Sequence, residues 1–88
     1  MAVLGKAEKY IVEALAQSNF ILTVHAERNR MPDRHVRRAD IVGCGRTAKK
    51  CIYDTKRDTY KVIGLDLDGE TLNVIAGIDN GVVIITVY

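Results

Sequence analysis

The sequence predicts an α+β domain: an N-terminal helix, a short strand and two short helices packed on a four-stranded antiparallel meander. Three observations carry this. Apolar residues recur at helical spacing only in the first half of the chain, and after Arg46 their period falls to two. Two dipeptides in that second half, Asp68-Gly69 and Asn80-Gly81, are of the kind that turns a tight hairpin, because both residues tolerate positive φ.

Taken in order, Lys6 to Ser18 reads as a helix. Ala7, Ile11, Val12 and Leu15 fall on one stripe, Lys9 and Glu13 form an exposed pair, and Asn19 is the stop. Phe20 to Val24 is short, apolar and β-branched, and reads as a strand. His25 to Met31 is helical in composition, but Pro32 disfavours helix at the residue before it. Asp33 is then the N-cap of a second helix from Arg34 to about Val42, ended by Gly43-Cys44-Gly45.

Past Arg46, Thr47 to Tyr53 is the first strand of the meander and Asp54 to Asp58 a polar turn. Thr59 to Leu67 sets Tyr60, Val62 and Gly64 against Lys61, Ile63 and Leu65. Thr71 to Ile78 sets Leu72, Val74, Ala76 and Ile78 against Asn73, Ile75 and Gly77. Val82 to Val87 is apolar on both faces, as expected of a central strand or of one covered on its second face.

Eighty-eight residues make one domain, 1–88, in which residues 1–19 form a helical extension of a core at 20–88. With 48% hydrophobic residues the chain is too apolar for a disordered tail. The longest apolar run, Val82 to Val87, is far short of a membrane span, and Met1 to Lys6 lacks the basic start and apolar block of a signal peptide. Two cysteines without an export signal read as reduced thiols, so a cytoplasmic protein with no membrane partner is expected. The net charge of +2 conceals a segregation. Between residues 25 and 61 eleven basic residues stand against five acids, and from Val62 onward there are four acids and no lysine or arginine. Such a block suits a phosphate-binding face or a face for an acidic partner, although unevenly distributed solvated charge produces the same count.

No phosphate loop, His-Glu-x-x-His, Gly-x-Ser-x-Gly or CxxC occurs. His25, His35, Cys44 and Cys51 contain no chelating pair that a turn would bring together, so no metal and no cofactor is expected. Cys44 reads instead as a small residue at a helix end and Cys51 as a strand residue facing the core. The informative segment runs from His25 to Ile41. His25 stands where a strand becomes a helix, Arg28 lies one turn on, and Arg34 and Arg38 share a face of the next helix. An imidazole among guanidinium groups suits phosphodiester chemistry: one moves a proton near neutral pH while the others hold the phosphate. On spacing alone, a helix-capping His25 and a solvated arginine face is the simpler alternative.

The segment also resembles a family of small bacterial proteins of unknown function. Its marks are a strand ending in His-Ala, then Arg-Met-x-x-Arg-x-Ile/Val, an acidic-aliphatic pair, a meander and a terminal Thr-Val-Tyr. They read here as His25-Ala26, Arg30-Met31-Pro32-Asp33-Arg34-His35-Val36, Asp40-Ile41 and Thr86-Val87-Tyr88. The resemblance covers residues 20–88. The family's arginine usually follows the histidine by four residues, where this chain has Asn29, so Arg28 and Arg30 are rivals for that role. The family in turn looks like a branch of the RelE-like, barnase-type ribonuclease toxins. That resemblance implies a metal-independent RNA endonuclease, the toxin of a toxin–antitoxin pair, with RNA and a small antitoxin protein as partners. His25 would be general base or acid, Arg28 or Arg30 with Arg34 the phosphate clamp, and Thr86 or Tyr88 a hydroxyl for the leaving group. RNA on the basic stretch would meet Arg37, Arg38, Arg46, Lys49 and Lys50. Two alternatives stand beside this reading: a non-catalytic RNA- or protein-binding module, and an interaction domain dimerised through its apolar last strand.

Overall fold

The computed structural model describes residues 5–88; the reading of Met1 to Lys6 rests in part on residues 1–4, outside the described residues. The elements run α1 (Lys6–Ala16), β1 (Phe20–Leu22), a π turn (Ala26–Arg30), α2 (Met31–Asp33), α3 (Arg38–Arg46), β2 (Lys50–Asp54), β3 (Thr59–Leu65), β4 (Thr71–Ile78) and β5 (Val82–Val87). The fold is α+β. The expected four-strand sheet is corrected to five, in the order β1-β5-β4-β3-β2, because β1 joins the meander parallel to β5. Val82 to Val87 is therefore an interior strand, flanked by β1 and β4, and no edge of it is free for the dimer envisaged through that strand. No helix among the described residues is long and apolar enough to cross a membrane.

α1 and α3 cover one face of the sheet. Ile11, Leu15 and Ile41 meet Val62, Leu72, Val74, Ala76 and Ile84 in a core from which water is excluded. Two glycines set its thickness. A Cβ at Gly45 would collide with the Leu15–Ala16 backbone of α1, and one at Gly64 would collide with the Cys44 carbonyl of α3. These glycines therefore pack helix on helix and helix on strand.

That corrects the second expected helix. It does not begin at Asp33 or end at Gly43-Cys44-Gly45; it runs Arg38–Arg46 with both glycines inside it. Its N-terminus is fixed by Asp40, whose carboxylate accepts the Arg37 N–H at 2.9 Å and the Leu67 N–H at 3.0 Å. Burial alone would raise the Asp40 carboxyl, but these two N–H groups and the Arg37 guanidinium outweigh it and hold the carboxyl below its ordinary value. Helix before Asp33 also continues through Pro32. The preceding turn closes i→i+5, from the Met31 N–H to the Ala26 carbonyl. This wider turn leaves room for a ring that would clash with an ordinary helical turn.

The run stops at His35, in the left-handed region at φ 54°. Its N–H donates to the Pro32 carbonyl and that of Val36 to the Met31 carbonyl, a Schellman closure sealed by buried Met31 and Val36. α1 stops the same way two residues before Ser18, which has φ 57°; Ser18 N–H reaches Leu15 and Asn19 N–H reaches Ala14. Of the two hairpin dipeptides, Asn80-Gly81 has both residues at positive φ, whereas in the longer Asp66–Glu70 loop only Gly69 does.

Candidate functional site

Among the described residues no helix covers the second face of the sheet. Along it Ile52, Lys61, Ile75 and Thr86 are register partners across β2, β3, β4 and β5, and together they floor a groove that crosses the strands. Thr55, Lys56 and Arg57 of the β2–β3 turn, Arg30 at the end of the π turn, and Tyr88 also line it. The groove, open to solvent along its length, has a volume of about 840 Å³. Four basic residues line it, Arg30, Lys56, Arg57 and Lys61, against one acid, Asp54. The Asp54 carboxylate is engaged in holding the turn, accepting the Lys56 N–H at 3.0 Å and the Arg57 N–H at 3.3 Å. The Lys61 ammonium stands 5.5 Å from the centre of the Tyr88 ring, a cation–π pair on the groove floor.

A β-bulge places the hydroxyl here. Ile75 pairs with Thr86 while Ala76 pairs with Ile84, so β5 carries one extra residue, Ile85, opposite β4. In strict alternation Thr86 would share the core face with Val82 and Ile84. The extra residue resets the parity: Ile85 and Thr86 both line the groove, and Val87 is fully buried. Thr23 holds the bulge. Its hydroxyl donates to the Ile85 carbonyl at 3.2 Å and accepts the Ala26 N–H at 3.1 Å, tying the bulged strand to the start of the π turn that ends in Arg30.

Of the residues singled out from sequence, Arg30, Thr86 and Tyr88 meet in this groove. His25, Arg28 and Arg34 do not line it. His25 is exposed, its Nδ1 at 3.4 Å from the Asn29 amide nitrogen, and Arg34 donates to the Thr71 carbonyl at 3.2 Å. The π turn bears on the choice between arginines. A π turn is an α-helical turn with one residue inserted. Here it brings the Asn29 amide beside the His25 ring, and of the two rival arginines Arg30 lines the groove while Arg28 does not.

The expected RNA-binding residues scatter. Arg34 and Arg38 do not share a helix face, since Arg34 closes α2 and Arg38 opens α3. The Arg38 guanidinium bonds the Ser18 hydroxyl and the carbonyls of Ser18 and Phe20, and lies 4.0 Å over the Phe20 ring. Arg37 pairs with Asp40 at 3.7 Å, and Arg46 borders a shallow depression on the helix side with Leu67. Lys49 precedes β2 and Lys50 opens it; as register partner of Ile63, Lys50 belongs to the open face. The groove's Lys56, Arg57 and Lys61 were legible only as part of the basic block, and Thr23 carried no signal.

Among the described residues no three His, Cys, Asp or Glu side chains gather into a group able to hold a metal. Burial pushes the Cys44 thiol up to about 12 and the Cys51 thiol up to about 11, so neither offers a thiolate near neutral pH. Cys44 donates instead to the Leu72 carbonyl at 3.4 Å.

Fold and site thus define a class: a small α+β domain with a basic groove across the open face of a mixed five-stranded sheet. The chain belongs to the family described as Domain of unknown function (DUF4258), whose model matches residues 22–88. The match takes in every groove residue and leaves α1 outside. No curated protein and no solved structure matches the chain.

Proposed function

We propose that this domain is a metal-independent RNA endonuclease of the RelE-like kind, the toxin of a toxin–antitoxin pair working in the cytosol, with the groove as the path of single-stranded RNA. The observation that carries the reading is the meeting of Arg30, Lys61, Thr86 and Tyr88 in a groove that Ile52, Ile75 and Ile85 also line. Single strands are held by cations that track phosphates and by aromatic faces on which bases stack, and this groove supplies both. In the reaction the ribose 2′-OH attacks the adjacent phosphorus and loses its proton, while the departing 5′-oxygen gains one, leaving a 2′,3′-cyclic phosphate. Arg30 and Lys61 hold the phosphate and the charge that develops on it. A hydroxyl of Thr86 or Tyr88 serves the leaving oxygen, and His25, one wide turn before Arg30, carries the other proton.

A second reading, a binding module without catalysis, is favoured by one observation: His25 is not among the residues lining the groove. Cleavage of single-stranded RNA in the presence of a chelator, measured beside binding, separates the two. His25→Ala should lower cleavage by about 10²–10⁴-fold and spare binding, the usual worth of general acid–base catalysis. Arg30→Ala should weaken both, through a lost charge-assisted contact. Binding without any cleavage by the unmodified protein would establish the binding module, and absence of both would end the RNA reading.

A further inference from the structure

The two edges of the sheet are treated differently. β1 is three residues long, and Arg38 closes it by taking the carbonyls of Ser18 and Phe20 and lying over the Phe20 ring. β2 at the other edge has five residues, Lys50–Asp54, with β3 on one side and, among the described residues, no strand on the other. Its ladder with β3 has no bulge and its sequence no proline, two of the means of blunting an edge, and its charged residues, Lys50 and Asp54, stand only at its two ends. Ile52 is 50% exposed and Tyr53 40%. An antiparallel edge strand turns alternate N–H and C=O groups outward, ready to pair with another strand.

The residues along this edge complement themselves. In a two-fold antiparallel pairing centred on Ile52, Lys50 of each copy stands opposite Asp54 of the other, Cys51 opposite Tyr53, and Ile52 opposite Ile52. A slip of one residue would set the open face of one copy against the helix face of the other. A slip of two would place Lys50 or Asp54 opposite Ile52. One register alone matches charge with charge, apolar with apolar and face with face.

We infer that β2 pairs with β2 of a second copy of this chain in that register, joining two five-stranded sheets into one of ten strands. A two-fold axis perpendicular to the sheet keeps both open faces on the same side. Ile52 floors both grooves, so they meet end to end across the dimer axis.

The test uses the full chain without RNA, which separates it from the functional reading. Sedimentation over a concentration series should show the unmodified protein passing from monomer to dimer. Lys50→Asp, which sets carboxylates against each other at both ends of the ladder, should stay monomeric with an unchanged circular dichroism spectrum. Opposite Cβ atoms in an antiparallel pair are about 5 Å apart, close to the separation a disulfide spans. Ile52→Cys in a Cys51→Ser background should therefore cross-link between copies on mild oxidation, and Thr55→Cys in the same background should not. A monomer at every concentration up to millimolar would overturn the inference. So would dimerisation undiminished by Lys50→Asp, or equal cross-linking at positions 52 and 55.

Discussion

On the helix-covered face of the sheet Val62, Leu72, Val74, Ala76 and Ile84 are fully buried, whereas across the same strands Ile63, Ile75 and Ile85 stay half-buried beside Lys61, Thr86 and an exposed Tyr88. The two faces share a backbone and differ in what limits them. The helix face is limited by volume: Gly45 and Gly64 let three elements approach until their backbones touch, and the one buried acid, Asp40, has both carboxylate oxygens bonded. The open face is limited by charge and parity. It gathers four cations around an apolar strip, and it needs a bulge to bring Thr86 out of the core. Substitutions on the first face should therefore register as stability and, on the proposed function, those on the second as RNA binding.

The sharpest break of that division is Gly64→Ala. The added Cβ would press on the Cys44 carbonyl and Cα, backbone atoms of α3 that cannot rotate away as a side chain can. Overpacking of this kind costs about 3 kcal/mol, a large share of a small domain's stability. Denaturant midpoints should show the loss directly. Ala at position 64 with unchanged stability would mean that the helix layer is looser than the geometry requires.

Asp40→Asn comes next. It keeps the size of the side chain but removes the charge that the Arg37 and Leu67 N–H groups and the Arg37 guanidinium favour. A loss of about 1.5 kcal/mol at neutral pH is expected for bonds to an ionised acceptor. Because the folded carboxyl lies below its ordinary value, its contribution is complete above about pH 4, the unfolded pKa, and fades as pH falls through the folded one. Melting curves of the two proteins should thus converge on acidification. A gap that persists or widens in acid would assign the loss to packing.

The period-two half of the chain was legible because one face is buried: Val62, Leu72, Val74 and Ala76 all lie where alternation puts them. The first half misled where glycine was read as a stop. The left-handed residues that close α1 and α2 are Ser18 and His35, neither a glycine, while Gly45 inside α3 serves close packing. The parallel pairing of β1 with β5 is a long-range choice to which Phe20–Leu22 bears no local witness. Of the groove lining, Thr86, Tyr88 and Arg30, the last as a rival of Arg28, were singled out from the sequence, yet the π turn and the bulge at Ile85 beside them are one-residue insertions that composition cannot reveal.

The smallest effect, and the closest comparison, sets one threonine against another. The Thr23 hydroxyl joins the bulge to the π turn through the Ile85 carbonyl and the Ala26 N–H. The Thr47 hydroxyl joins α3 to β3, donating to the Gly43 carbonyl at 2.8 Å and accepting the Leu65 N–H at 2.7 Å. Each hydroxyl accepts one N–H and gives its one proton to a carbonyl, with the Leu65 carbonyl a second acceptor within reach of Thr47 at 3.3 Å. Replacement by Val keeps the branched shape, so each should cost about 1 kcal/mol. The readouts should part. Thr47→Val should lower the melting temperature and leave RNA affinity of the folded protein alone, because nothing it touches lines the groove. Thr23→Val frees the register of Ile85 and Thr86 and the seat of Arg30, so RNA affinity should fall and the Ala26 amide should exchange faster. Equal losses of affinity in both variants would mean that the groove depends on the fold as a whole, and that the two faces cannot be tuned apart.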